Sequence, residues 1–423
     1  MAFPMSPAQV TRNGSDVVEP IAIIGMSCRY SGTADTPDGL WQMLCEGTTS
    51  WSKSAHNRFK LDSFWNPKGE LSGSVGFLVH DGCKSRTRQD PAAFDNDFFG
   101  INGVEAKAIN PRQRLMLEVA YETFENAGIP LEELEGSQTG VYCALSYLDY
   151  DQILGRDPEV SPSYRYTGTG GSMLANRISY VFDLRGPSMT IDTSCSSTLV
   201  AVHDACRAIR LGEVEQVLVG GVNLILDPDK LTVQSSMQFL SPDGRCYSFD
   251  SRADGYGRGE GLAGVLLKSL SSAMRDGDPV RAVIRGTSVV CDGKTPGITM
   301  PCWESQAAAI RRAYESAGLN PSETLYVEAH GTGTKAGDRA EAMAFSNTFC
   351  KCRRGKANFL VGGIKSNVGH IENASGLAAI VKTVLLLENG IIRQTQPLPS
   401  QVKSCHWKNG VQVDICLCVD PSS

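Results

Sequence analysis

Short apolar runs alternate with longer segments of helical apolar spacing along most of the 423-residue chain. Residues 21–25 are apolar and end in glycine, which is typical of a buried strand. Residues 111–128 begin with proline, carry apolar residues at helical spacing and end in glycine, which predicts a helix. The same pattern predicts strands at 140–144, 187–191, 216–222, 263–267, 282–284 and 325–329, and helices at 199–209, 305–317 and 376–388. This alternation predicts a layered α/β fold.

The strand–helix succession restarts after about Asp278, which predicts two similar α/β halves packed on each other. We expect the first half to occupy residues 20–277 and the second half residues 278–396. Residues 1–19 mix proline, serine, glycine and charge without periodicity, which indicates a disordered N-terminal segment. Residues 397–423 continue neither half and form an atypical tail.

Composition narrows the function classes. The net charge of −6 argues against nucleic acid or an anionic membrane as a partner. No stretch approaches the roughly 20 apolar residues of a membrane span, and the first residues lack the basic and apolar regions of a secretion signal. The 14 cysteines show no regular spacing, so we expect reduced thiols in a cytoplasmic enzyme.

The strongest nucleophile candidate is Cys195, which lies at a sharp turn between the strand predicted at 187–191 and the helix predicted at 199–209. A cysteine at a helix start faces unpaired backbone N–H groups and the positive end of the helix dipole. Both effects favour thiolate over thiol, so we expect a reactive thiolate. For any single one of 14 cysteines, an ordinary buried thiol is the alternative interpretation.

Two of the six histidines follow apolar or glycine-rich stretches at predicted turns. His330 ends the strand predicted at 325–329 and precedes the Gly/Thr turn 331–334, and His370 follows the turn 365–369. Either histidine taken alone fits a structural role better than a chemical one. Together with Cys195, the two histidines become candidates for a catalytic group.

The three stretches together resemble the motifs of the β-ketoacyl synthase family, the condensing enzymes of polyketide and fatty-acid synthesis. Residues 192–199 resemble the nucleophile motif, 330–341 the first-histidine motif, and 365–372 the lysine and second-histidine motif, all in family order. Residues 248–261 look most like the ketosynthase domain of fungal reducing iterative type I polyketide synthases. The resemblance runs from about residue 20 to about residue 396, and it implies a thiolase-like αβαβα layered sandwich that is normally a homodimer.

The resemblance also implies an activity, decarboxylative Claisen condensation in polyketide chain elongation. Cys195 would accept the acyl chain, and His330 and His370 would donate hydrogen bonds to the enolate of a malonyl thioester. Lys365 would hold a histidine and Glu372 in place. The domain itself is expected to bind no cofactor and no metal, because its substrates are carried on the phosphopantetheine of an acyl carrier protein. Carrier and acyltransferase domains of a larger synthase are the expected partners.

The chain departs from the family pattern in three places. Ser194 stands where alanine is common, and Arg339 replaces a usual proline, but neither change affects the chemistry. Residues 406–423 do not resemble the glycine-rich F-G-x-x-G-T-N turn found near the family's C-terminal end. We therefore expect a truncated C-terminal end whose tail does not replace the terminal strand, which leaves a sheet edge exposed.

Three alternatives stay open at this point. The missing turn is compatible with an inactive, truncated ketosynthase-like module that at most dimerises. A fatty-acid-type condensing enzyme would carry the same motifs. A thiolase or chalcone-synthase-like relative would pair its nucleophile with His and Cys or with His and Asn, whereas the motifs here contain two histidines.

Overall fold

A computed structural model describes residues 18–51, 58–59, 91–157, 159, 162–350 and 359–392, and the backbone of 405–406 and 414–419. Nearly all of the expected N-terminal segment 1–19 lies outside the described residues. The strands are β1 (Ile21–Tyr30), β2 (Thr139–Ala144), β3 (Ser188–Ile191), β4 (Gln216–Asn223), β5 (Gly261–Ser269), β6 (Ala282–Val289), β7 (Tyr326–Glu328), β8 (Leu360–Gly362), β9 (Ile391–Ile392), β10 (Cys405–His406) and β11 (Asp414–Val419).

The α-helices of the described residues include short turns and long packing helices. They are α1 (Pro37–Glu46), α2 (Gly103–Ala108), α3 (Pro111–Ala127), α4 (Leu131–Leu134), α5 (Asp149–Leu154), α6 (Arg165–Thr169), α7 (Met173–Val181), α8 (Ser197–Arg210), α9 (Asp229–Ser236), α10 (Leu270–Asp276), α11 (Trp303–Ala317), α12 (Lys335–Phe345), α13 (Lys365–Val368) and α14 (Ser375–Asn389). Each predicted strand and helix overlaps one of these elements.

Seven strands form one mixed sheet in the order β11-β6-β1-β5-β4-β2-β3. β2 pairs in parallel with β3 and β4, whereas β5 runs antiparallel to β4 and β1. β6, the first strand of the second predicted half, pairs antiparallel to β1 and so extends this sheet. β7 and β8 form a separate parallel pair.

Side chains of β1 alternate between two apolar cores. Ile21 and Ile23 face a core that they share with α1, α8 and α14, whereas Ala22 and Ile24 face a core shared with α2, α3 and α7. A register shift after Ile23 moves the alternation by one residue, so that Met26 again faces the first core. The sheet is therefore covered by helices on both faces, as a layered α/β fold requires.

A further apolar cluster joins α11 and α12 to the β7–β8 pair through Ile310, Ala329 and Phe345. α14 packs against α8 and also reaches β7, where Lys382 contacts Glu328. The layers therefore run from α3 and α7 through strands β1 to β5, then α8 and α14, to a second layer of strands covered by α11 and α12. β6 and β11 of the seven-stranded sheet pack between α8 and α11, so they lie in this second layer of strands. This order is the αβαβα sandwich predicted for a thiolase-like fold.

The expectation that the tail does not replace the terminal strand was wrong. Asp414–Val419 forms β11 and pairs in parallel with β6, so the tail supplies the strand at this edge of the sheet. Within the described part of the chain, no helix is both long and apolar enough to cross a membrane.

Candidate active site

Cys195 lies in the turn that joins β3 to α8, two residues before the first helical residue, Ser197. Ser197 Oγ donates to the Ser194 carbonyl oxygen at 2.6 Å and accepts from the Thr193 N–H at 2.8 Å. Ser194 has a φ of 58°, a left-handed conformation that costs a residue with a Cβ roughly 1–2 kcal/mol. A strained residue directly before the candidate nucleophile is the kind of backbone feature that clusters at functional sites.

The helix-start position of Cys195 favours the thiolate, but the surroundings of its sulfur oppose it. Burial and then the negative charge of Glu372 raise the pKa of the Cys195 thiol to about 11. Lys365 and the Ser194 hydroxyl, which lies 3.9 Å from Sγ, act in the opposite direction. Cys195 is therefore a neutral thiol at pH 7, because the loss of water around the sulfur outweighs its position near a helix start.

Cys195, His330 and His370 converge although they lie on three separate turns. Sγ of Cys195 and one ring nitrogen of each histidine all lie within 4.8 Å of one another. The two imidazole rings have centroids 5.6 Å apart and planes at 89°. His330 follows β7, and His370 follows α13, so the end of β3, the end of β7 and the turn after α13 meet at one point. The three motifs that were separate in the sequence form one cluster.

Lys365 and Glu341 hold His330 in place. The Lys365 ammonium lies 3.2 Å from Nδ1 of His330 and donates to the backbone oxygen of His330 at 2.7 Å. An ammonium group can only donate, so Nδ1 accepts and the ring proton lies on Nε2. The Glu341 carboxylate accepts from the backbone N–H groups of His330 and Gly331 at 2.6 and 2.9 Å. The ring and the backbone of His330 are therefore fixed independently.

His370 has the same tautomer for a different reason. Its Nδ1 accepts from the backbone N–H of Glu372 at 3.2 Å and lies 2.9 Å from Oγ of Ser375. A backbone N–H can only donate, so the ring proton again lies on Nε2. The ring packs edge-on against Tyr256, with centroids 4.9 Å apart. Both histidines thus carry their remaining N–H donor on Nε2.

Both imidazoles are neutral at pH 7. Burial lowers the pKa of His330 well below its usual range, and the positive charge of Lys365 lowers it further. The pKa of His370 is likewise lowered by burial, then by Lys365, His330 and Arg258. A neutral imidazole donates a hydrogen bond without the charge that would hold a carboxylate tightly. The pair suits a negative charge that appears only during the reaction.

The two supporting residues predicted from the sequence, Lys365 and Glu372, have different partners. Lys365 contacts His330, whereas Glu372 forms a buried ion pair with Arg258 and accepts from Gln234 Nε2 at 3.1 Å. The partner of Glu372 is therefore Arg258, and not Lys365 as expected. Glu372 has a φ of 43°, so Arg258 anchors a strained residue whose N–H fixes the tautomer of His370.

Sequence reasoning assigned no role to Arg258 or Glu341. Arg258 lies in a run in which glycine occupies every second position from 255 to 261, and a lone cation in such a run is the signal that could have marked it. Glu341 closes the first-histidine motif, eleven positions after His330, but nothing in that spacing indicates that it binds backbone N–H groups.

The side chains of the cluster are also of types that bind zinc. One feature opposes a divalent cation here. The Lys365 ammonium lies 3.2 Å from Nδ1 of His330, which places a positive charge beside the cluster. The cluster fits nucleophilic and oxyanion chemistry better than metal binding.

Comparison with known proteins agrees with this geometry. The model of the β-ketoacyl synthase N-terminal domain matches residues 18–273, and that of the C-terminal domain matches residues 281–398. The highly reducing polyketide synthase easB of Emericella nidulans is 50% identical over 391 residues, which are 92% of this chain and 15% of that protein. The lovastatin diketide synthase lovF of Aspergillus terreus is 46% identical over 401 residues, 94% of this chain and 15% of that protein.

Two solved ketosynthase structures show the same fold. The ketosynthase from module 6 of the bacillaene synthase of Bacillus subtilis 168 superimposes with a TM-score of 0.81 at 34% identity, over 90% of this chain and 64% of that one. A ketosynthase domain of oxazolomycin synthesis from Streptomyces albus JA3453 gives 0.80 at 37% identity, over 89% and 63%. The chain spans about 15% of the length of its curated relatives. It belongs to the β-ketoacyl synthase family, as a ketosynthase domain most similar to those of fungal highly reducing polyketide synthases.

Proposed function

We propose that the chain catalyses the decarboxylative condensation of an acyl group on Cys195 with a malonyl thioester on an acyl carrier protein, which elongates a polyketide chain. The observation that carries this proposal is the cluster of Cys195 Sγ and the His330 and His370 ring nitrogens within 4.8 Å. One nucleophile and two neutral N–H donors are the groups that the two half-reactions need.

In the first half-reaction, Cys195 Sγ attacks the carbonyl carbon of an acyl thioester. A new C–S bond forms to Cys195 while the C–S bond to the carrier phosphopantetheine breaks, and the thiol proton of Cys195 ends on the departing carrier thiol. Because the resting thiol is protonated, the proton must leave as the sulfur attacks. Lys365 assists, since its positive charge favours the thiolate that develops.

In the second half-reaction, malonyl thioester loses carbon dioxide, and the electrons of the broken C–C bond form an enolate. His330 and His370 donate from Nε2 to the enolate oxygen. The enolate carbon then attacks the acyl carbon on Cys195, the C–S bond to Cys195 breaks, and the resulting thiolate takes a proton from the solvent. The product is a β-ketoacyl thioester on the carrier. Lys365 and Glu372 act as supporting residues, one through His330 and the other through His370.

The domain requires no cofactor in this scheme, since the reacting groups arrive on the phosphopantetheine of a carrier domain. We propose that carrier and acyltransferase domains of a larger synthase are its partners. We also propose a cytoplasmic location, because 14 irregularly spaced cysteines suit a reducing compartment. The division into halves at 277/278 remains part of the proposal.

We further propose a homodimer formed through β3. β3 ends the order of the seven-stranded sheet, and Met189 on this strand is 38% exposed. An edge strand offers backbone groups for pairing with a second copy, and β3 leads directly into the Cys195 turn. Met189→Lys should shift the molecular mass measured by light scattering from dimer to monomer. A wild-type chain that is monomeric at micromolar concentration would contradict the dimer.

Three alternatives are less favoured. An inactive module is a poor fit for residues that converge with both histidines in the donor tautomer. A fatty-acid-type condensing enzyme shares the family, but the relatives at 46% and 50% identity are polyketide synthases. A thiolase-like pairing of His with Cys or Asn does not match a site built from two histidines.

The proposal is tested by supplying the chain with an acyl thioester and malonyl-carrier protein and measuring the carrier-bound product by mass spectrometry. The expected product is heavier than the starting acyl group by one two-carbon unit. Cys195→Ala should yield no acyl-enzyme and no elongated product. Elongation by the Cys195→Ala variant at the wild-type rate would refute the assignment.

A further inference from the structure

A buried charged cluster lies directly behind the reacting residues, on the side of α14. Lys382 of α14 is fully buried, and its Nζ lies 2.6 Å from Oε2 of Glu328, whose side chain is 6% exposed. The hydroxyl of Tyr326 donates to the same carboxylate oxygen. A lysine and a glutamate so deeply buried are rare in proteins unless they are paired, so the position of this pair calls for an explanation.

The second oxygen of Glu328 connects the cluster to the active site. Oε1 accepts from the backbone N–H of Ile364 at 2.6 Å. Ile364 is the residue before Lys365, and Glu328 lies two residues before His330. The Glu328 carboxylate therefore bridges the chain segments that carry the two partners of the 3.2 Å Lys365–His330 contact.

The β7–β8 ladder at this junction is short. The two strands pair over three residues each, and two further backbone bonds continue the ladder, from Ala329 N–H to the Gly362 oxygen at 2.8 Å and from Leu360 N–H to the Leu325 oxygen at 2.9 Å. Beyond the ladder, Ser248 Oγ donates to the Gly331 oxygen and accepts from Ser366 Oγ at 3.0 Å. A Cβ on Gly362 would lie 2.0 Å from Oη of Tyr326 and 3.0 Å from Nζ of Lys382. The backbone of β8 therefore passes close to the charged cluster and leaves room for nothing larger than glycine.

We propose that the Glu328–Lys382 pair, with Tyr326, is a positioning device that sets the distance between His330 and Lys365. The inference rests on the proposed function. Lys382 and the Tyr326 hydroxyl both hold Oε2 of Glu328, so Oε1 stays directed at the Ile364 N–H, which it meets at 2.6 Å. Fold stability alone does not require the pair, because a buried ion pair can often be replaced by apolar groups without loss of stability.

The test separates the two half-reactions in wild type and in variants. Glu328→Asp keeps the charge but withdraws the carboxylate from Ile364, and the double variant Glu328→Gln/Lys382→Met keeps an acceptor while it removes both charges. Each should reduce malonyl decarboxylation, measured as carbon dioxide release, by about 10- to 100-fold, since small misplacements of catalytic groups are costly. Acylation of Cys195, followed by intact mass, should stay within about twofold.

Two further variants keep the test decisive. Tyr326→Phe removes one hydroxyl and leaves the ion pair, so we expect it to fold even if a variant that changes charge does not. It should slow decarboxylation selectively. Lys268→Met/Asp278→Asn removes another lysine–carboxylate pair, 2.7 Å long, at the end of β5 away from Arg258, and should leave both half-reactions unchanged.

Equal loss of both half-reactions in Glu328→Asp and Tyr326→Phe would overturn the inference, and so would unchanged decarboxylation in both. A wild-type chain that acylates Cys195 but does not decarboxylate malonyl thioester would instead refute the proposed function, and the inference with it. The three results are distinguishable, because only the first two are read relative to an active wild type.

Discussion

His370→Ala is the variant that tests the proposed chemistry most directly. It removes a donor whose orientation is set in advance, since Nδ1 accepts from the Glu372 N–H at 3.2 Å and so leaves the ring proton on Nε2. The donor is also neutral, because burial and the cations Lys365 and Arg258 lower its pKa. The variant should therefore lose enolate stabilisation while the nucleophile stays intact.

The expected loss in decarboxylation rate follows from the number of donors that a variant removes. Removal of one preorganised oxyanion donor typically lowers a rate by about 10²–10³, or roughly 2.7–4 kcal/mol of transition-state stabilisation. His330→Ala should show a loss of the same order, because the two rings contribute one Nε2–H each. The double variant should lose less than the product of the two factors, because residues that act on one atom are not additive. Acylation of Cys195 should change by less than about tenfold, since enolate charge does not develop in that step.

The assay measures carbon dioxide release from malonyl thioester and acyl transfer to Cys195 on the same preparation. Ser375→Ala is the matched control, because it removes the hydroxyl 2.9 Å from His370 Nδ1 but leaves the Glu372 N–H to fix the tautomer. This control should stay within about fivefold of wild type in both half-reactions. If His370→Ala lowered acylation as much as decarboxylation, the histidine would be structural and the donor argument would be refuted.

Three further predictions follow from the site. Peptide mapping after exposure to a short acyl thioester should find the label on Cys195 among the 14 cysteines, and a label mainly elsewhere would refute its role. Alkylation of Cys195 should accelerate about tenfold per pH unit between pH 7 and 9, because its pKa is raised to about 11. An alkylation rate that does not change over that range would contradict the raised pKa and indicate that Cys195 is already a thiolate. Burial raises the Glu341 pKa from 4.5 to about 7, so its contribution to stability is full below pH 4.5 and is lost as the pH rises through 7. Urea unfolding of wild type against Glu341→Gln should show a difference on the order of 3 kcal/mol across that range, and parallel pH profiles would contradict the shift.

The sequence was informative where the chemistry coincides with a chain feature. Apolar runs predicted the strands that end beside Cys195 and His330, and glycine turns marked the places where side chains leave those strands. Family motifs then grouped Cys195, His330 and His370, whose reactive atoms do lie within 4.8 Å of one another. Residue type and local spacing carry this information because a strand end determines where the next side chain is placed.

The remainder depends on contacts between distant parts of the chain. Arg258 lies 114 positions from Glu372, and nothing in local spacing indicates that the two are paired. The pairing of β11 with β6 joins residues more than 100 positions apart. The tail sequence contains no family motif that would have indicated this pairing. The sequence reveals the helix start that favours a Cys195 thiolate, but not the burial and the Glu372 carboxylate that raise the pKa of this thiol to about 11.

In the proposed mechanism, the charges of the site favour the second half-reaction over the first. Glu372 raises the pKa of the Cys195 thiol and so slows acyl transfer, yet its backbone N–H is the group that fixes His370 as a donor. Lys365 acts in both stages, because its charge favours the developing thiolate and adds to the effect of burial, which lowers the pKa of both imidazoles. Acyl transfer between thioesters exchanges bonds of nearly equal energy, whereas enolate formation creates a charge that needs donors in place. The site therefore keeps a protonated resting thiol and holds two oriented N–H donors, so it stabilises enolate formation, the harder of the two proposed steps.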